Sequence, residues 1–279
     1  MLTRREFLKA SLALTATTAT AGMYAWQVEP HWLEVVRRDL PILGLPASLA
    51  GATLVQLSDV HVGPRVSDDY VLDAFSRVAA LEPDIVCLTG DMTSYHPDVI
   101  AHASTVYADL PHGGLATVAV LGNHDYGRSW ADDANADQLA GVLTDLGVRV
   151  LRNERVDVSG LQIVGMDDLW ARRFQPATAL AAIEPAAPML ALSHNPDTVD
   201  LPGWGPFTGW ILSGHTHGGQ VRAPFLPPPV LPVENRRYTS GEFSLSGGRT
   251  MYISRGVGHN MQVRFDARPE VTVFNLVSA

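Results

Sequence analysis

Residues 209–220 read GWILSGHTHGGQ, an apolar run that ends in two histidines set between glycines. Four other stretches have the same form, an apolar run followed by a polar or glycine-rich turn. They are ATLVQLSD at 52–59, DIVCLTGD at 84–91, ATVAVLGNHD at 116–125 and PMLALSHNPD at 188–197. Short apolar runs rich in Val, Leu and Ile are typical of strands that are buried on both faces. The five stretches therefore predict buried strands with polar residues at their carboxyl ends.

Helical patterns lie between these runs. Residues 67–84 open with Ser67, an N-cap type, and residues 131–147 end at Gly147. The middle of the chain, 148–168, has short strand patterns around a VSG turn, which predicts a hairpin, and the tail at 248–277 is rich in strand formers. Alternating strands and helices with these additions predict an α/β sandwich that contains mixed sheets.

The strand ends carry residue types that bind metals. Because the carboxyl ends of strands in α/β sheets form a common crevice, we expect these side chains to converge on one site. Carboxylates, an amide and imidazoles without a thiolate favour Mn, Fe or Zn ions over a cysteine-bound structural zinc. Two ions bridged by a carboxylate would use the whole set and would suit phosphoryl transfer. The candidate ligands are Asp59, His61, Asp91, Asn123, His194, His215 and His217.

The composition indicates a packed core and an acidic surface. The chain has 279 residues and is 46% hydrophobic, enough for a packed core, with a formal net charge of -9. An acidic surface repels phosphate backbones, so we expect no specific nucleic-acid binding. The single cysteine, Cys87, lies in an apolar run and is expected to be a small core residue.

The N-terminus resembles a twin-arginine export signal. Arg4 and Arg5 precede an uncharged, Ala- and Thr-rich run, and Ala19 and Ala21 form an A-x-A cleavage pattern. The run is of borderline length for a bilayer and is a poor permanent anchor. We therefore predict a signal or possible anchor at 1–27, a connector with an early strand at 28–50, and a single catalytic domain at 51–279. Whether the signal is cleaved or kept as a membrane tether stays open.

Five short motifs in a fixed order carry a family resemblance. DVH, GDMTS, GNHD, SHNPD and SGHTHGGQ resemble the motifs of the calcineurin-like metallophosphoesterase superfamily, over roughly residues 51–220. The segment SRGVGHNMQVRFDARPE and the twin-arginine start are similar to its exported bacterial YaeI/YkuE-like phosphodiesterase branch. The resemblance implies a four-layer α/β/β/α sandwich, with two mixed sheets flanked by helices.

The resemblance also implies roles for the candidate residues. Asp59, His61 and His217 would hold one metal ion; a second would be bound by Asn123, His194 and His215; and Asp91 would bridge the two. A metal-bridging water would attack phosphorus. His124 would be the catalytic histidine near the leaving oxygen, and Asp125 would orient it, at a position where many relatives have Glu.

The sequence leaves several functions open. A phosphodiester or pyrophosphate, small or lipid-linked, is the first hypothesis, hydrolysed in the periplasm or cell envelope after export by the twin-arginine machinery. The alternatives are a phosphomonoesterase, a hydrolase of UDP-2,3-diacylglucosamine or a related glycolipid pyrophosphate, and a catalytically silent metal-binding scaffold. His259, Arg65 and the Pro-rich loop at 224–232 are left without an assigned role, and association with a membrane surface is a further expectation for that loop.

Overall fold

The computed structural model describes residues 3–181, 183–223 and 225–279. The chain begins with helix α1, Arg4–Met23, whose side chains are all exposed, and short helical turns continue to His31. Among the described helices, not one has both the length and the hydropathy needed to cross a bilayer.

The first sheet has six strands in the order β1-β12-β2-β3-β4-β5. Strands β2 to β5 are parallel, β12 is antiparallel to β2, and β1 is parallel to β12. The early strand of the predicted connector is thus paired with the C-terminal strand of the chain. The strands are β1 Glu34–Ile42, β2 Thr53–Leu57, β3 Ile85–Thr89, β4 Ala116–Val120, β5 Arg149–Val150 and β12 Glu270–Ser278.

The second sheet has the order β10-β11-β9-β8-β7-β6. Its centre, from β11 through β9 and β8 to β7, is parallel, and an antiparallel strand closes each edge. Strands β6 and β7 form the hairpin predicted around the VSG turn. The strands are β6 Glu154–Val158, β7 Leu161–Gly165, β8 Met189–Leu192, β9 Trp210–Ser213, β10 Gly241–Ser244 and β11 Thr250–Ile253.

The two sheets pack face to face with helices outside. Alternate residues of the strands, such as Leu54 and Ile163, fill the layer between the sheets. Three helices cover the outer face of the first sheet: α2 Asp68–Ala79, α3 Val99–Tyr107 and α4 Asp133–Asp145. The outer face of the second sheet is covered by the short α5, Pro176–Leu180, and by loop residues such as Trp204. The predicted sandwich of two mixed sheets flanked by helices is confirmed, although its second outer layer is mostly loop.

Cys87 tests the packing between the sheets. It is fully buried in the layer between them, where apolar side chains surround it. We expect Cys87→Ser to lower the free energy of unfolding by about 1–3 kcal/mol, because the serine hydroxyl would be buried among apolar side chains without a hydrogen-bond partner. Urea denaturation checks this, with Cys87→Ala as the matched control. Equal stability of the two variants would contradict the expected cost of the hydroxyl.

Candidate metal centre

Two groups of side chains meet where the central strands of both sheets end. The first group is Asp59, His61 and His217, and the second is Asp91, His194 and His215; in each group the ligand atoms lie within 4.8 Å of one another. All six residues are buried. The convergence predicted from the strand ends is therefore present.

Facing nitrogen atoms mark the two positions. Nε2 of His61 lies 3.1 Å from Nε2 of His217, and Nε2 of His194 lies 3.2 Å from Nδ1 of His215. Two ligands that each lie about 2.1 Å from one ion are separated by roughly 3 Å, so both pairs have the spacing of shared metal ligands.

Asp91, a member of the second group, also faces the first group. Its Oδ2 is 3.6 Å from Nε2 of His61 and 3.3 Å from Nε2 of His194, while its Oδ1 accepts a hydrogen bond from the backbone N–H of His124 at 2.9 Å. One carboxylate oxygen thus faces an imidazole of each group. This is the position that a bridging ligand requires.

Asn123 supplies an independent sign that the site suits a metal ion. Its side chain is buried, yet neither the amide oxygen nor the amide nitrogen has a hydrogen-bond partner among the described residues. A buried amide without a partner costs free energy, which coordination of a cation by its oxygen would recover. Asn123 together with the two groups fits two divalent metal ions.

Backbone carbonyls decide which nitrogen of two histidines faces the centre. Nδ1 of His194 donates to the carbonyl of Thr89 at 2.8 Å, and Nε2 of His215 donates to the carbonyl of Pro232 at 2.8 Å. Each ring therefore presents its other nitrogen, as a lone pair, to the second metal position. The sequence could not identify these acceptors.

Burial keeps most of the imidazoles in the form that binds metals. It lowers the pKa of His61 and of His215 to about 3, so both rings are neutral at pH 7. Burial also disfavours the charged form of His194, but the nearby Asp91 carboxylate outweighs it and raises the pKa of His194 to about 10. This buried carboxylate therefore attracts positive charge, which a metal ion supplies in place of the proton.

Two glycines allow the close approach of the strand ends. A Cβ on Gly214 would lie 1.9 Å from Oγ of Ser58 and 2.3 Å from Oδ2 of Asp59, and a Cβ on Gly122 would lie 2.3 Å from Oδ1 of Asp91. Any larger residue would displace a ligand carboxylate. Gly214 and Gly122 are therefore needed for the strand ends to approach this closely.

His124 lies at the edge of the centre, half-buried, with its ring centroid 5.0 Å from that of His61. Among the described residues, no direct hydrogen bond joins the Asp125 carboxylate to the His124 ring. The Asp125 carboxylate instead accepts hydrogen bonds from Thr93 and from the backbone N–H of Gly122. Within hydrogen-bond distance of the His124 ring is the side chain of Asn260, whose Nδ2 lies 3.3 Å from Nε2 of His124.

The sequence did not single out Asn260, although His259 beside it was noted. His259 is turned away from the ligands: its Nε2 donates to the carbonyl of Arg65 at 3.0 Å, and the Arg65 guanidinium donates to the carbonyl of Asn260 at 2.6 Å. Arg65 and His259 therefore hold the tail so that Asn260 reaches the centre.

A cavity of about 560 Å³ opens from the metal positions. Its floor includes Asp91, Asn123 and His217, and its walls are mostly apolar. Two tryptophans stand out, because Trp170 makes an edge contact with His215 at 4.4 Å between centroids and packs on Trp130 at 4.9 Å. Neither tryptophan follows a predicted strand, so no pattern in the sequence pointed to them. The apolar wall residues are Trp130, Trp170, Val221, Pro229, Val230, Pro232 and Met261.

Comparison with known proteins agrees with this geometry. The model of the calcineurin-like phosphoesterase family matches residues 52–219, which include all seven candidate ligands and the glycines that follow the last one. The chain belongs to this family. It is therefore a metallophosphoesterase, a member of a family of hydrolases, and its predicted enzyme class is confirmed.

Individual relatives extend over almost the whole metallophosphoesterase chain. Phosphodiesterase YaeI of Escherichia coli K12 is 34% identical and is aligned over 99% of this chain and 100% of its own length. The uncharacterized metallophosphoesterase YkuE of Bacillus subtilis 168 is 31% identical, over 99% and 98%. UDP-2,3-diacylglucosamine pyrophosphatase LpxG of Chlamydia trachomatis serovar D is 26% identical, over 95% and 97%.

The N-terminal segment has a match of its own. The model of the twin-arginine translocation signal matches residues 1–21, which include the Arg4 and Arg5 pair. This supports export of the metallophosphoesterase by the twin-arginine route and a transient encounter with that machinery.

Asp91 and His124 should separate metal binding from turnover. We expect Asp91→Ala to lose bound metal as well as activity, because it removes the carboxylate between both ligand groups. His124→Ala should keep its metal content and lose turnover by about 10²- to 10⁴-fold, the usual range for a proton-transfer group. Elemental analysis beside phosphoesterase assays measures both. Parent-like hydrolysis by both variants would refute these roles.

Asn260 should act through the His124 ring. We expect Asn260→Ala to lower kcat about tenfold with unchanged metal content, because the ring loses its neighbour within hydrogen-bond distance. Asn260→Gln, which keeps the amide, should recover part of the loss. An Ala variant with parent kcat would show that the contact has no role in turnover.

Proposed function

We propose that this metallophosphoesterase hydrolyses phosphodiester or pyrophosphate bonds of a small or lipid-linked substrate in the periplasm or cell envelope. The observation that carries the proposal is the position of Asp91 between two buried ligand groups at the floor of an apolar cavity. A phosphoryl group bound there would have its substituents directed into the cavity.

The ligand set suits the chemistry. Imidazole, carboxylate and amide ligands fit Mn, Fe or Zn ions, held by Asp59, His61 and His217 on one side and by Asn123, His194 and His215 on the other. When bound, two such ions supply a water of lowered pKa and neutralise charge on the phosphoryl oxygens. These six ligand residues are nearly or fully buried, so they also exclude bulk water from the metal positions.

His124 is suited to handle the leaving oxygen. Its backbone N–H is tied to Asp91, and its half-buried ring lines the cavity above the metal positions. A ring in that place is able to donate a proton to a departing alkoxide or to stabilise its charge. Asn260, at 3.3 Å, limits the movement of the ring. Asp125 acts one step away, since its carboxylate fixes the turn that carries His124.

The space around His124 favours a diester over a monoester. A second cavity of about 320 Å³ adjoins the first and shares His124, Trp130 and Asn260 with it. Arg65, Arg128 and Tyr95 line this second cavity. A phosphorus atom near His124 would thus have room for one substituent on each side, whereas a monoester needs only one.

The relatives are consistent with this choice. YaeI is named a phosphodiesterase and LpxG a UDP-2,3-diacylglucosamine pyrophosphatase. The second name keeps a glycolipid pyrophosphate as an alternative substrate class. The export signal counts against a cytosolic nucleotide-linked lipid, because an exported enzyme would seldom meet one.

Paired chromogenic substrates test the proposal. We expect the metal-loaded enzyme to hydrolyse bis-p-nitrophenyl phosphate with a kcat/KM at least about tenfold above that for p-nitrophenyl phosphate, a difference of about 1.4 kcal/mol in transition-state binding. A preference for the monoester would favour the phosphomonoesterase alternative. Hydrolysis of neither by protein shown to contain two metals would favour a silent scaffold.

A further inference from the structure

Large apolar side chains surround the mouth of the cavity of about 560 Å³ that opens from the metal positions. Phe225 is fully exposed, and Leu226, Val230 and Met261 are each 64–72% exposed. These four residues are called the apolar rim. Val230 and Met261 line the cavity itself, and Phe225 and Leu226 belong to the loop that leaves the cavity wall at Val221 and returns to it at Pro229. Exposed apolar groups clustered at one opening mark a surface that meets an apolar partner.

The rim is joined to the metal centre and to the N-terminal segment. The carbonyl of Pro232, at the end of the Pro-rich loop, accepts a hydrogen bond from the ligand His215. Next to Met261, the side chain of Gln262 donates to the carbonyl of Trp26 at 3.3 Å, and the backbone of Arg264 donates to that of Ala25. Trp26 is half exposed. The segment that follows α1 therefore lies beside the same opening.

Three arginines lie close to the apolar rim. Arg236 donates to the carbonyl of Pro228 in the Pro-rich loop, Arg65 donates to the carbonyl of Asn260 beside Met261, and Arg222 lies at the start of the loop. Asp266, whose carboxylate lies 3.7 Å from Arg222, and the exposed Glu234, two residues after the Pro-rich loop, are acidic neighbours of this set. Three arginines are thus placed around the apolar rim in a chain whose net charge is -9.

We propose that the apolar rim docks on a lipid bilayer, so that the cavity takes phosphodiesters of membrane lipids from its surface. Apolar groups that enter the acyl region, arginines that meet anionic headgroups, and tryptophans at the interface are the features of proteins that lie on membranes. A second copy of the chain would not need arginines around its apolar contact. The inference rests on the proposed phosphodiesterase function and adds the place where the substrate is met.

Vesicle binding by the full metal-loaded chain tests the proposal. The vesicles contain phosphatidylethanolamine and phosphatidylglycerol, and the variant Phe225→Ser/Leu226→Ser is compared with the parent. The matched control is Leu43→Ser/Leu115→Ser, two exposed leucines at the opposite end of the first sheet, after β1 and before β4. All three proteins keep α1, so its contribution to binding cancels.

We expect the rim variant to bind the vesicles about tenfold or more weakly than the parent, because two large side chains no longer enter the lipid. The control should bind as the parent does. All three should hydrolyse soluble bis-p-nitrophenyl phosphate at similar rates, because neither Phe225 nor Leu226 lines the cavity.

Equal vesicle binding by parent and rim variant would overturn the proposal. So would a change from dimer to monomer in the rim variant, measured by sedimentation, without a loss of vesicle binding, since the rim would then contact a second copy. Failure of the proposed phosphodiesterase function is distinguishable from both, because it would appear as lack of diester hydrolysis by the parent itself.

Discussion

The structure depends on keeping the Asp91 carboxylate buried between two sets of imidazoles. Moving an isolated carboxylate out of water costs several kcal/mol even after the protein relaxes, and Asp59 is buried beside it in the same centre. Hydrogen bonds from Ser58 and from the backbone of His124 and His215 offset part of this cost. Bound cations would compensate the remaining negative charge, and metal binding would then be thermodynamically linked to folding of this edge of the sheets.

The backbone at the metal centre is also strained, because it must bring the ligand side chains together. Asp59, His61, Asp91, His215 and His217 all have φ between 50° and 70°, a region that side chains other than glycine rarely occupy. The turn after each strand must be tight to direct its side chain to a common point instead of continuing outward. Five such positions in one site, each costing of the order of 1 kcal/mol or more, show that ligand placement has been favoured over local backbone preference.

Residues at strand ends could be predicted from the sequence, whereas residues on irregular loops could not. A ligand such as His194 follows a buried apolar run, and strand ends meet by topology, so its place was predictable. Asn260 and Trp170 reach the centre from irregular loops, and loops have no periodicity that fixes a direction. The Asp125 carboxylate makes no direct hydrogen bond to the His124 ring among the described residues, because a short aspartate side chain bonds to backbone N–H groups nearby, here that of Gly122. The two mixed sheets were predictable, but the pairing of β1 with β12 joins the ends of the domain and leaves no local signal.

An acidic chain must still attract an anionic phosphoester, and the distribution of charge explains how. The acidic groups of the centre are those that cations neutralise, whereas Arg65 and Arg128 line the adjoining cavity beside His124. Potential within a narrow cleft follows the nearest charges, because low-dielectric walls focus the field and salt screens distant groups. Without bound cations Asp59 and Asp91 would face the substrate with uncompensated negative charge, so metal binding would also be needed for the phosphate to enter the cleft.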